Sequence, residues 1–180
     1  MKPLKGLRIL WMRLTRQGVR VTAWWAADHA VRMITGANIR RLSEITPHVC
    51  VGGQYRRRGV PRLKARGITA VINLRVEFDD KDVGIAPSRY LHLPTPDDHA
   101  PTLEQLQTGV EFISEEIAQG GSVYIHCGSG IGRAPTMAAA YLISTGLTVD
   151  GAWALIRAVR PFIKPTAPQL EEIERFAAQR

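Results

Sequence analysis

Cysteine is scarce in this chain of 180 residues: Cys50 and Cys127 are the only two. Two thiols cannot build a disulfide scaffold, so the fold must rest on its core and a reducing cytosol is the simpler setting. Long apolar runs are missing as well. Arg8, Arg13, Arg16 and Arg20 break up the N-terminal stretch, which falls well short of the ~20 apolar residues a helical span requires. The same arginines stand where the apolar centre of a signal peptide would lie, so that reading fits badly. Internal repeats and low-complexity tracts are absent. No His, Cys, Asp and Glu cluster has metal-ligand spacing, so no metal and no other cofactor is expected.

Acid is lacking in one region only. Residues 1–41 hold nine Lys or Arg against a single acid, Asp28, and so carry the whole net charge of +8. The other 139 residues balance fifteen bases against fifteen acids. The basic character therefore belongs to an N-terminal extension. Leu7, Leu10, Trp11 and Leu14 fall at helical spacing, with Arg8, Arg13 and Arg16 on other faces. Gln17-Gly18 interrupts, and a second helix is expected from Val21 to Ile34. Trp24, Trp25, Ala27, Val31 and Ile34 are its candidate buried side. The division expected is a basic amphipathic helical extension over 1–41 and one globular domain over 42–180. Such a helix can lie on an anionic bilayer. Alternatively its tryptophans pack on the body and its arginines are solvated. Nucleic acid is not an expected partner, because the patch matches no binding module.

With 45% hydrophobic and 22% charged residues, the body can bury one ordinary core. Strands are expected at His48–Val51, Ile68–Leu74, Tyr90–Leu93 and Val123–His126. Helices are expected at Val60–Arg66, Thr102–Gln119, Arg133–Thr145, Val149–Val159 and Pro168–Ala178, and a loop at Pro94–Pro101. Leu103, Leu106, Val110, Phe112 or Ile113, and Ile117 should face inward from the Thr102 helix. Short apolar strands alternating with helices indicate an α/β fold, a central and mostly parallel sheet flanked by helices. In such sheets the active site lies at the carboxyl ends of the strands.

The stretch Val123–Met137, VYIHCGSGIGRAPTM, lies at such an end. A strand-to-helix turn aims several backbone amides at one point and adds the positive helix end, making an anion cradle. Gly128, Gly130 and Gly132 let those amides approach a ligand closely. Ser129 and Ile131 complete the loop interior, which carries no charge. Arg133 can hold two phosphate oxygens in its planar fork. Cys127 sits beneath the same amides, which favour thiolate over thiol. A lone cysteine here would read as a small buried hydrophobe. Cysteine, five intervening residues and arginine together read as a phosphate site with a nucleophile at its floor.

HCGSGIGRA resembles the His-Cys-x-x-Gly-x-x-Arg signature of the cysteine-dependent protein tyrosine and dual-specificity phosphatases. The resemblance extends from about Ile45 to Phe176 and includes VGGQ, GITAVINLR, DDHAPT and IRAVRPFIKPTAPQLEEIERF. The last stretches look most like the mitochondrial PTP-like phosphatase and its bacterial relatives. The resemblance implies a single-domain protein tyrosine phosphatase-like fold, with 42–180 as the catalytic domain. It implies in-line attack of Cys127 on phosphorus, a phosphocysteine, and hydrolysis by water. Amides from Gly128 to Arg133 and the Arg133 guanidinium would bind the equatorial oxygens. An aspartate of the loop before the Thr102 helix would be the general acid, and the pattern favours Asp98 over Asp97. His126 would orient the loop and would not act as a base.

One position departs from the pattern. Many relatives carry Ser or Thr after the arginine, where the hydroxyl helps the thiolate leave; here Ala134 stands there. Hydrolysis of the intermediate should then be slow, or Ser129 or water substitutes. Cys50 is either a structural thiol or a disulfide partner for oxidised Cys127. The substrate expected is phosphorylated protein. The rival is a phospholipid monophosphate such as phosphatidylglycerophosphate, handled in the cytoplasm or peripherally at the inner face of the membrane. The uncharged loop interior disfavours polyanionic inositol phosphates. A phosphate-binding module without turnover is the remaining reading, and the joint presence of Cys127, Arg133 and Asp98 argues against it.

Overall fold

The computed structural model describes residues 3–180; for residues 3–10, 12, 13 and 16 it describes the backbone alone. The side-chain expectations for Leu7, Leu10, Arg8, Arg13 and Arg16 lie outside the described residues.

Helix α1 runs from Pro3 to Thr35 as two arms that meet at Gly18, whose φ of 80° and ψ of 166° are not helical. Glycine takes this conformation at little cost, so the kink falls where Gln17-Gly18 interrupts the pattern. The second arm differs from the sequence expectation in the face it buries. Ala27 is exposed and Ile34 is 72% exposed. The buried positions are instead Thr22, Asp28 and Arg32, while Trp24, Trp25 and Val31 are half-buried. Hydrophobicity misplaced the stripe because this face meets backbone carbonyls and amides of the body, which polar side chains satisfy.

The body is a four-stranded sheet in the order β1-β4-β2-β3, with every pair parallel. β1 is Val49–Gly53, β2 is Ala70–Arg75, β3 is Arg89–Thr95 and β4 is Val123–Cys127. α2 (Val60–Ala65) precedes β2, and α3 (Leu103–Ala118) joins β3 to β4. α4 (Arg133–Ser144), α5 (Val149–Val159) and α6 (Ala167–Ala177) follow. β3 extends through Pro94, which sequence alone placed in the loop. It is an edge strand, where a missing N–H does no harm.

Alternation along β4 divides the core in two. Val123, Ile125 and Cys127 join a large cluster with Ile113, Met137, Trp153, Ile173 and Phe176. Tyr124 packs on the other face with Tyr55, Leu63, Ile68 and Val71. Ile113 is fully buried, whereas Phe112 is half-buried and lies under the Arg89 guanidinium at 4.9 Å. α3 starts at a reciprocal cap: Gln105 N donates to Thr102 Oγ1 at 3.2 Å and Thr102 N to Gln105 Oε1 at 3.0 Å. The helix that follows the acid loop is therefore closed by Thr102 and Gln105, and neither aspartate of the loop is needed to cap it.

Candidate active site

β4 ends at Cys127, the chain turns through Gly128–Gly132, and α4 opens at Arg133. The turn is tight because Gly130 has φ +68°, and a Cβ there would come within 2.3 Å of the Gly52 carbonyl carbon. Only glycine fits such a position. The Gly130 amide points at Cys127 Sγ, 3.3 Å away. Cys127 is 3% exposed. An amide aimed at sulfur stabilises its anion, the reactive form.

Arg133 is 2% exposed and held by three elements. Nη1 donates to Thr95 O at 2.7 Å and to Leu74 O at 3.3 Å, at the ends of β3 and β2. Glu77 takes both nitrogens, with Oε2 3.0 Å from Nη1 and Oε1 3.1 Å from Nη2. Nη2 also lies 2.9 Å from Asp97 Oδ1. Hydrogen bonds from Arg133 and then from Arg75 hold the Glu77 carboxyl at about 2, against the resistance of partial burial. Burial opposes the Arg133 charge, but Glu77, Cys127 and Asp97 outweigh it and the guanidinium titrates higher than usual. Among the described residues Arg133 Nε, although buried, has no partner. An anion seated in the turn would satisfy it.

Cys127, Arg133 and Asp97 line one cavity of about 680 Å³ that also includes Asp98, Lys164 and Gln17 of α1. Of the phosphate-loop residues expected from sequence, Gly128, Ser129, Ile131, Gly132 and Arg133 line it. Gly130 turns its amide to the thiol and its carbonyl to Arg160, 3.1 Å away. Asp97 and Asp98 are both exposed at the cavity edge. Asp98 has φ 62°, the one positive φ outside glycine among the described residues. Its carbonyl accepts from Thr166 Oγ1 at 2.9 Å, and the His99 carbonyl accepts from Gln169 Nε2 at 2.9 Å. The acid loop is thus tied to the start of α6.

His126 points to the face opposite Cys127. Its Nε2 lies 2.8 Å from Asp80 Oδ2, and both side chains are fully buried. Burial works against the Asp80 charge, but His126, Gln54 and Tyr55 outweigh it and lower its pKa. The ring packs on Tyr124 and Tyr55. Ala134 is fully buried, and the nearby Thr136 Oγ1 donates to Gly132 O at 3.0 Å. Cys50 pairs in register with Tyr124 and belongs to that face of the sheet, whereas Cys127 faces the other. Burial, aided by Glu44, pushes the Cys50 thiol up to about 11.

Sequence reasoning missed Glu77, Asp80, Gln169 and the polar face of α1. The one local signal was the acidic run after β2, Glu77-Phe-Asp-Asp80.

A family model described as polymorphic toxin system, DSP-PTPase phosphatase matches residues 53–147. The Arabidopsis thaliana phosphatidylglycerophosphate phosphatase PTPMT2 is 30% identical over 153 residues, 82% of this chain and 67% of that protein. The chain belongs to the DSP/PTP phosphatase family. Human dual specificity protein phosphatase 1 is 29% identical over 138 residues; the match covers 76% of this chain but 37% of that longer protein. The PTPMT1 structure in complex with PI(5)P superposes with a TM-score of 0.69 at 30% identity, covering 75% of this chain and 93% of that one. The active form of Tk-PTP gives 0.69 at 28% identity, covering 77% and 97%. The parallel sheet and its flanking helices are thus those of a cysteine-dependent phosphatase.

Proposed function

We propose that this phosphatase hydrolyses phosphate monoesters through a phosphocysteine on Cys127. The observation that carries the reading is the convergence of the Cys127 thiol, the turn and the Arg133 guanidinium on one cavity. The thiolate attacks phosphorus in line as the leaving oxygen departs. Gly128–Arg133 amides and Arg133 hold the equatorial oxygens, where charge collects in a loose transition state. Water then cleaves the S–P bond. The acid loop supplies the proton to the leaving oxygen. The resemblance favoured Asp98, but the 2.9 Å contact of Asp97 Oδ1 with the phosphate-gripping Arg133 favours Asp97. His126, buried against Asp80, serves to orient the loop. With Ala134 and Thr136 offering the thiol no hydroxyl, Ser129 or water assists its release.

A phosphorylated protein is the substrate we favour. One observation supports a second reading, a phospholipid monophosphate at the inner face of an anionic membrane. Gln17, beside the α1 kink, lines the cavity, so the arm that carries exposed Trp11 ends at its mouth. The deciding experiment is phosphate release from a phosphotyrosine peptide, from phosphatidylglycerophosphate vesicles and from PI(5)P vesicles, with Cys127→Ser as control. Preference for the peptide supports the first reading and preference for either vesicle the second. No release from any of them defeats both.

A further inference from the structure

The phosphate loop is held from behind by two of its carbonyls. Gly128 O accepts from Gln54 N at 3.1 Å. Gly130 O accepts from Arg160 Nε at 3.1 Å. A trans peptide sets its C=O and N–H in opposite directions. Fixing these carbonyls outward therefore aims the next amides, those of Ser129 and Ile131, toward the cradle. Whatever holds the two carbonyls holds the cradle's donors.

Both holds lead to α1. Arg160 is fully buried, and Asp28 is its one carboxylate partner within 4 Å among the described residues, with Oδ2 3.4 Å from Nη2. Asp28 also accepts from Asn38 Nδ2 at 2.5 Å and Ile39 N at 2.9 Å. On the other side, Arg32 is 7% exposed and donates Nη1 to Gln54 O at 2.9 Å. Its guanidinium lies against Gly53, where a Cβ would come within 2.9 Å of Cζ and 3.0 Å of Gly128 O. Among the described residues its other side-chain partner is His29 Nδ1, 3.2 Å from Nη2. No carboxylate lies within 4 Å of it among the described residues. A buried cation without a paired carboxylate is unfavourable unless another anion shares its field. Burial works against the Arg32 charge; Tyr124, Asp28 and, to a smaller extent, Cys127 once ionised act in its favour.

We infer that α1 is part of the catalytic centre, with Asp28 and Arg32 as positioning residues for the Cys127–Arg133 loop. Asp28 acts through Arg160 and Arg32 through Gln54, and the Arg32 charge favours both the thiolate and bound phosphate. This support lies outside residues 53–147, the part matched by the family model. The inference rests on the phosphocysteine reading.

The test uses the full chain with Arg32→Met, Arg32→Lys and Asp28→Asn. Three quantities are read: kcat and KM on an aryl phosphate, the iodoacetate alkylation rate of Cys127 at mildly acid pH, and calorimetric binding of inorganic phosphate in the Cys127→Ser background. Arg32→Met should lower kcat/KM and phosphate affinity by about tenfold or more, as expected when a loop is misplaced, and should slow alkylation. Arg32→Lys, which keeps the charge, should recover alkylation and most of the phosphate affinity. Asp28→Asn should weaken phosphate binding and leave alkylation nearer to wild type. Unchanged kinetics and phosphate binding in a folded Asp28→Asn protein, or in a folded Arg32→Met protein (Arg32→Gln if the Met variant fails to fold), would overturn the inference. An inactive wild type would defeat the phosphatase reading alone, because phosphate binding still reports on the cradle.

Discussion

Glu77 grips Arg133 with both carboxylate oxygens, at 3.0 and 3.1 Å, across 56 residues of sequence. The pair presets the guanidinium plane before any phosphate arrives. That position is costly to hold otherwise, since a long side chain loses rotamer freedom when it is fixed.

Glu77→Gln should therefore lower kcat/KM on an aryl phosphate by about tenfold or more, through loss of orientation, and leave Cys127 alkylation nearly unchanged. Its stability effect has a definite sign. The Glu77 carboxyl titrates near 2, below its ordinary 4.5, chiefly because Arg133 bonds to it. The stabilisation is complete above the ordinary value and is lost as pH falls toward the lower one. The difference in Tm between wild type and Glu77→Gln should be largest above about pH 5 and shrink steadily in acid. Because Glu77 is 40% exposed, the difference should be small and sensitive to salt. A gap that widens in acid would contradict the assignment.

The two aspartates of the acid loop can be separated by leaving group. Asp97→Ala should slow hydrolysis of phenyl phosphate by about a hundredfold, the usual contribution of a general acid. The loss should be much smaller for p-nitrophenyl phosphate, whose leaving group needs little protonation. Asp98→Gly should cost less activity and should raise Tm slightly, because glycine accepts the φ of 62° without strain. The reverse pattern would return the acid role to Asp98.

Gly130→Ala should abolish turnover. The added Cβ meets the Gly52 backbone at 2.3 Å, and φ is +68°, a combination expected to cost on the order of 1–3 kcal/mol in strain even after relaxation. Phosphate binding in the Cys127→Ser background should vanish with it. Near-normal kcat/KM would mean that the loop has another working shape.

Peroxide should oxidise Cys127 without joining it to Cys50. The two thiols sit on opposite faces of the sheet, with Cys50 opposite Tyr124 and Cys127 opposite Gly53 in the β1–β4 register. Intact-mass and peptide spectra of peroxide-treated protein should show sulfenic and higher acids at Cys127 and an unmodified Cys50. An intramolecular Cys50–Cys127 peptide pair would refute this.

Ala134→Ser should speed the second half-reaction. Ala134 is fully buried at the first turn of α4, and a hydroxyl there could hydrogen-bond the departing thiolate. Rapid mixing with p-nitrophenyl phosphate should show a burst in wild type and a smaller burst with higher kcat in the variant. An identical time course would show that breakdown of the intermediate does not limit the rate.

The phosphate loop was legible in the sequence because its chemistry is local. Cys127, the glycines and Arg133 are neighbours in the chain, and a strand-to-helix turn is enough to make them converge. The start of the helix at Thr102, the break at Gly18 and most strand and helix positions were legible for the same reason, since each depends on a few adjacent residues. The buried supports were not. Glu77 reaches Arg133 over 56 residues, Asp80 reaches His126 over 46, and Asp28 reaches Arg160 over 132. In sequence these acids and bases look like solvated surface, and hydropathy put the inner face of α1 on Ala27 and Ile34 rather than on Asp28 and Arg32. The sequence by itself determined which atoms could perform the chemistry. Only the tertiary structure decided which charges are buried behind them, because burial of a charge depends on partners that folding alone brings within reach.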